Sequence, residues 1–134
     1  MTRNAFEAYK TVGTGTADPV TLTTMLYDGA IKAMKKARIH FESGNRERFL
    51  DESGRAHLIV GELLATLNRD AGGELATELA AIYGYCLRCL VGCTTGDMAQ
   101  LEEAEKHITR IANAWKAATG NLKALPGVPQ QAVA

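Results

Sequence analysis

Several things are scarce in this 134-residue chain, and each scarcity removes a class of function. No run of 18 apolar residues occurs, so no helix is expected to span a bilayer. The opening MTRNAFEAYK lacks the apolar core of a secretory signal, so the protein is expected to stay in the cytosol. Neither charge sign is in excess: 15 Lys and Arg balance 15 Asp and Glu. A dedicated nucleic-acid binder would carry a basic surplus, so no nucleic-acid partner is expected. Cysteines number three, Cys86, Cys89 and Cys93, an odd count clustered in one helical stretch. Without a signal peptide they read as reduced thiols rather than a disulfide framework.

Signs of catalysis are also missing. No Gly-rich phosphate loop links a strand to a helix, and no His-Glu-x-x-His occurs. A di-iron bundle needs Glu-x-x-His on two helices, but Ala104 stands three residues before His107. His40, His57 and His107 fall on three different helices with no evident carboxylate partner. Cys86, Cys89 and Cys93, at i, i+3 and i+7, share one side of a helix. A structural zinc site needs four converging ligands, and a redox pair belongs at a helix N-terminus. Mid-helix cysteines fit better as small buried hydrophobes. No enzyme activity, metal or cofactor is expected.

What is present is helical periodicity. Asp18 is a good N-cap and Pro19 suits the first helical position. The first helix is expected to run to about Ser43, with Gly44 as its C′ residue. Asn45 caps a second helix, Arg46 to about Asn68, whose Ala56, Val60, Leu63 and Leu67 step by four, three and four. Ala71-Gly72-Gly73 reads as a break. A third helix runs from Glu74 to about Cys93, with Leu75, Leu79, Ile82, Cys86 and Leu90 inward. Asp97 caps a fourth, which ends near Gly120 and carries Leu101, Ala104, Ile108, Ile111 and Trp115 as its seam. Short breaks imply antiparallel neighbours, so the fold class is all-α: an up-down four-helix bundle over residues 19–120. An arm at 1–18 precedes it, and a tail at 121–134, holding two of the three prolines, follows.

Two features go beyond a generic bundle. Gly29, Gly54, Gly61, Gly84 and Gly92 all fall inside expected helices, each at a cost of about 1 kcal/mol relative to Ala. They signal either close helix approach or a bundle softened around a groove. The first helix is also apolar on more than one side. Leu22, Leu26, Ala30, Ala33, Ala37 and Phe41 make one stripe, while Met25, Ile31, Met34 and Ile39 fall outside it. Such a helix is either central in the core or half-covered, leaving a groove for a partner helix. The run KAMKKAR, with Lys32, Lys35, Lys36 and Arg38, reads as the solvated face of that helix.

Residues 16–34 then become specific. Thr16-Ala17-Asp18-Pro19, Leu22 and Met25-Leu26-Tyr27-Asp28-Gly29-Ala30-Ile31 resemble the start of the flagellin-specific export chaperones, the FliS family, whose pattern is close to T-A-S-P-x-x-L-x-x-M-L-Y-D-G-A-I. A second block, Leu67-Asn68, Gly72-Gly73-Glu74-Leu75-Ala76, Leu79, Ile82-Tyr83 and Tyr85, resembles the family in order and spacing. Trp115 and Tyr9 also match. Gly84, Cys86 and Cys89 depart from residues common in the family, and the tail extends past its usual end.

The resemblance implies a cytosolic chaperone that binds the disordered C-terminal segment of flagellin, blocks premature polymerisation and hands the subunit to the cytosolic domain of the flagellar export gate. A helical adaptor with a different flagellar or regulatory client is the alternative. Tyr9, Leu22, Met25, Leu26, Tyr27, Asp28, Ile31 and Met34 are expected to border the client groove, with Tyr9 covering it when empty. Asp28 is expected to pair with Lys32 or to cap an element of the arm or client. An exposed groove also permits a homodimer through exchange of the arm.

Overall fold

The computed structural model describes residues 18–124, with side chains described through residue 120. Four helices follow one another: α1 (Pro19–Glu42), α2 (Arg46–Ala65), α3 (Arg69–Gly92) and α4 (Met98–Ala124), with a 3-10 turn at Cys93–Thr95 between the last two. No strand is present among the described residues. Each helix packs on its sequence neighbour and α4 closes back on α1. The result is an antiparallel bundle with ring order α1, α2, α3, α4.

Local chemistry sets the ends. The Asp18 carboxylate accepts from the Thr21 N–H at 2.8 Å, and Pro19 follows it. Gly44 turns the chain with φ of 79°, a left-handed value that suits glycine. Asn45 accepts from the Arg48 N–H at 3.1 Å and starts α2. The second helix stops at Ala65, three residues short of the expected end. Asn68 then accepts from the Ala71 N–H at 3.0 Å and opens α3, five residues earlier than expected. Instead of a loop, the Ala71-Gly72-Gly73 stretch is a kink inside α3. Gly73 sits at φ 56°, ψ −131°, a conformation open to glycine and strained for other residues. At the other end, α4 runs four residues past Gly120, to Ala124.

The core is one cluster. It draws Ala30, Ala33, Met34 and Ala37 from α1, and Phe49, Ala56, Val60 and Leu63 from α2. Tyr27 of α1, Tyr83, Cys86, Cys89 and Leu90 of α3, Cys93 of the 3-10 turn, and Leu101, Ala104, Ile108 and Ala112 of α4 complete it. The row of alanines on α1 brings that helix against α2 at close range. A Cβ added at Gly29 would sit 3.3 Å from Ile59 Cδ1, tighter than ordinary contact. This glycine therefore serves close helix approach, one of its two expected uses. Leu75 departs from the expected inward row. It lies just after the Gly73 kink and is 64% exposed, whereas Cys86 and Leu90 are buried and Leu79 and Ile82 half-buried.

By length and composition alone, Arg69–Thr95 would suffice to cross a membrane, with a mean hydropathy of 1.2 in its most apolar stretch. In the fold it forms one wall of the bundle, with Tyr83, Cys86, Cys89 and Leu90 buried.

Candidate functional site

The Tyr27-Asp28-Gly29 triplet divides its work within the bundle. The Tyr27 ring is buried, and its hydroxyl lies 2.6 Å from the Tyr83 hydroxyl across the core. Burial raises both phenols above their usual range, so both stay neutral and share a proton donor and an acceptor. The Trp115 ring stands 6.2 Å from Tyr27, tilted by 55°, and its indole N–H donates to Thr24 Oγ1 at 2.8 Å. These contacts lock the start of α1 to α3 and α4. Asp28 takes neither of its expected roles within the described residues: it pairs with Lys116 of α4 at 2.6 Å. Both side chains are about half exposed, so this bridge contributes little.

The residues expected to border a groove therefore do not share one face. Leu22, Tyr27 and Met34 are buried, their surface spent on the bundle. In this conformation they pack inside the bundle, away from the groove wall where they were expected. Leu26 and Ile31 are half-buried and packed against the core. Met25, 48% exposed, and Asp28 face solvent. Tyr9 lies outside the described residues.

The cysteines are free and buried. Burial pushes the Cys86 thiol up to about 12 and raises Cys93 as well. Cys93 Sγ donates to the Leu90 carbonyl at 3.3 Å. Thiols held neutral in this way are poor nucleophiles and poor ligands. Among the described residues no group of three or more His, Cys, Asp or Glu is placed to hold a metal ion. His107 does have a carboxylate partner, unlike the sequence expectation: Glu103, one turn earlier, lies 3.3 Å from its Nε2, and Arg110 donates to its Nδ1 at 2.9 Å. The Lys106 ammonium beside Glu103, followed by the Tyr85 hydroxyl, holds that carboxyl below its usual range. This is a surface network on one helix flank.

Exposed apolar surface concentrates elsewhere, on α2 and α3. The buried row of α2 is Phe49, Ser53, Ala56, Val60 and Leu63. A second row, Leu50, Gly54, Leu58 and Gly61, steps by four, four and three on the opposite flank. Leu58 is 75% exposed, and a Cβ added at Gly54 or Gly61 would meet nothing within 4 Å. An open groove of about 440 Å³ runs over Leu50, Asp51, Glu52, Gly54, Arg55 and Leu58. Arg46 donates to the Thr94 carbonyl at 3.1 Å, setting the start of α2 beside the end of α3. Leu50, one turn after Arg46, is therefore level with Val91, one turn before Thr94, which is 59% exposed. In the most apolar stretch of α3 only 28% is buried. Leu50, Leu58 and Val91 thus stand exposed on α2 and α3. The second row of α2 was visible in the sequence as a Leu-Gly alternation out of phase with the core row.

A family model described as "Flagellar protein FliS" matches residues 2–122. The chain is 36% identical over 117 residues to the flagellar secretion chaperone FliS of Bacillus subtilis, covering 87% of this chain and 86% of that protein. It is 37% identical over 102 residues to the protein of the same name from Salmonella typhimurium, covering 75% and 76%. It is 30% identical over 103 residues to the flagellar secretion chaperone FliSB of Pseudomonas aeruginosa, covering 74% and 79%.

Proposed function

This chain belongs to the FliS family, and on that premise we propose that it is a cytosolic chaperone for flagellin that holds the C-terminal segment of its client on the outer face of α2 and α3. The observation that carries the reading is the uncovered row Leu50, Gly54, Leu58 and Gly61, with Val91 beside it. An amphipathic helix laid across that row would find a glycine floor low enough for its own side chains and leucine rims to close over them. Covering a residue as exposed as Leu58 is worth about 1.5–3 kcal/mol, so a few such contacts give useful affinity. A client that orders on binding spends part of that gain on its own ordering, which keeps the complex releasable. Mass action does the rest: a segment held by the chaperone is unavailable for polymerisation, and handover follows at the cytosolic domain of the export gate. Of the α1 residues expected at the groove, Met25 is the one that offers a client open apolar surface, while Leu26 and Ile31 are half-buried against the core.

Titration calorimetry with a peptide from the C-terminal end of flagellin from the same organism tests the reading. A saturable one-to-one isotherm with a negative heat-capacity change is expected. No heat and no co-elution from folded protein would sink flagellin as the client and leave an adaptor with another partner.

A further inference from the structure

At the end of the bundle where the chain leaves α4, the seam between α3 and α4 stands open. Farther along, the two helices meet closely. The Tyr85 hydroxyl donates to Glu103 Oε1 at 3.1 Å, the Tyr85 ring packs edge-on against His107 at 5.6 Å, and Cys86 Sγ lies 3.9 Å from the Ala104 carbonyl. Leu75, Leu79, Ile82 and Cys86 step by four, three and four along α3, so they share one face. On α4, His107, Ile111, Ala114 and Ala118 share the face that meets Tyr85. The helices run antiparallel, so stepping back along α3 from Cys86 to Leu75 reaches the level of Ala114 on α4. Burial falls off along both rows: Cys86 is buried, Ile82, Leu79 and Ile111 are half-buried, and Leu75, Ala114 and Ala118 are exposed. Leu75 is 64% exposed although it shares the face of Cys86. The cover that this face has elsewhere is missing here among the described residues.

We propose that residues 125–134 fold back along α4 and close this seam, laying Val128, Ala132 and Val133 over Leu75, Ala114 and Ala118. The segment starts at the end of α4, which forms one wall of the seam. Leu125-Pro126-Gly127-Val128 places Pro and Gly at the two central positions of a turn that reverses the chain. Beyond Gly127, residues 128–134 can extend over roughly 23 Å. Ala114 lies roughly 15 Å before Ala124 along the helix, within that reach. No charged residue occurs from Ala124 to Ala134, although 22% of the whole chain is charged. Laying this segment on an apolar seam therefore desolvates no side-chain charge. The arm at 1–17 fits less well. It enters through α1, which packs on α2 and α4 and stands across the ring from α3, and it carries Arg3, Glu7 and Lys10. With the seam closed, the apolar surface left open on α3 is the far end, at Val91. The inference goes beyond flagellin binding and holds whichever partner the α2–α3 face takes.

The test is methyl NMR of the full chain, labelled at Leu, Ile and Val, with the Leu75 signals assigned by Leu75→Met. Nuclear Overhauser contacts are expected between the Leu75 methyls and those of Val128 or Val133. Val128→Asp with Val133→Asp should abolish them and shift the Leu75 and Ile111 methyls. It should also lower the melting temperature by about 2–6 °C, a loss that a segment free in water would not show. The Leu58 and Val91 methyls should not move. If the double variant fails to fold, Val128→Ala with Val133→Ala replaces it and should weaken the contacts without abolishing the fold. Absence of any contact from Leu75 to the tail would overturn the assignment. Contacts from Leu75 to Val12 would give the seam to the arm instead. Contacts seen only between labelled and unlabelled copies would give it to a second molecule. Shifts at Leu58 and Val91 in the double variant would place the tail on the client face. Each of these three results would overturn it as well.

Discussion

Glycines serve opposite purposes on the two flanks of α2. Toward α1, Gly29 sits under Ile59 with no room to spare, and the alanines of α1 keep the pair close. Away from α1, Gly54 and Gly61 face open space beside a leucine that is three-quarters exposed. A helix-interior glycine costs about 1 kcal/mol in either place. On the first flank the cost is offset inside the molecule, by packing. On the second flank no contact among the described residues offsets it, and in the proposed function a docked client would supply the compensation. That asymmetry separates the packed flank from the open one better than hydrophobicity does, since both flanks are apolar.

The largest effect on the buried side is reached by pH. Cys86 is pushed up to about 12 by burial, and Tyr27, Tyr83 and Cys93 are raised as well. In the unfolded chain these groups ionise near 8.5 to 10, roughly their reference values. The native state favours their neutral forms, so this stability is fully present below about pH 8.5 and falls as pH rises through about 9 to 12. Urea midpoints measured across that window should drop steadily, and the drop should shrink in Cys86→Ala.

Gly29→Leu should lower stability by about 1–3 kcal/mol through overpacking against Ile59. Thermal melts check it, and an unchanged melting temperature would mean that α1 and α2 are not held as closely as the geometry requires. Tyr27→Phe should cost about 1–3 kcal/mol, because it strands the Tyr83 hydroxyl in the core, while Tyr27→Phe with Tyr83→Phe should recover most of it. The smallest effect sharpens the contrast most: Gly54→Ala and Gly61→Ala should each stabilise the free protein by about 0.5–1 kcal/mol while weakening the flagellin peptide. Calorimetry paired with melts of the same samples would show whether the two quantities move in opposite directions.

Much of the architecture was readable from single residues. Asp18, Asn45 and Gly44 mark their boundaries because capping and left-handed turns are local chemistry, and the seam of α4 is regular enough to give its inward face. The α2–α3 junction was misread because Asn68 restarts a helix that then bends at Gly73, and a glycine kink has the same local signature as a loop. The site was less legible. Asp28 has a lysine four residues on, yet its partner is Lys116, brought alongside only by tertiary packing. Tyr27 was expected to border the client groove, and its hydroxyl meets Tyr83 inside the core. The second row of α2 alternates Leu and Gly in the sequence, but that pattern does not say which row is covered. Only the position of the neighbouring helices shows that Val60 is covered and Leu58 is not.

The most direct test of where the client lies is site-specific photocrosslinking to flagellin, with a benzophenone amino acid placed at Leu58 in one sample and at Met25 in another. The account predicts strong crosslinking from position 58 and weaker crosslinking from position 25. Crosslinking from position 25 alone would contradict it and return the client to the face of α1.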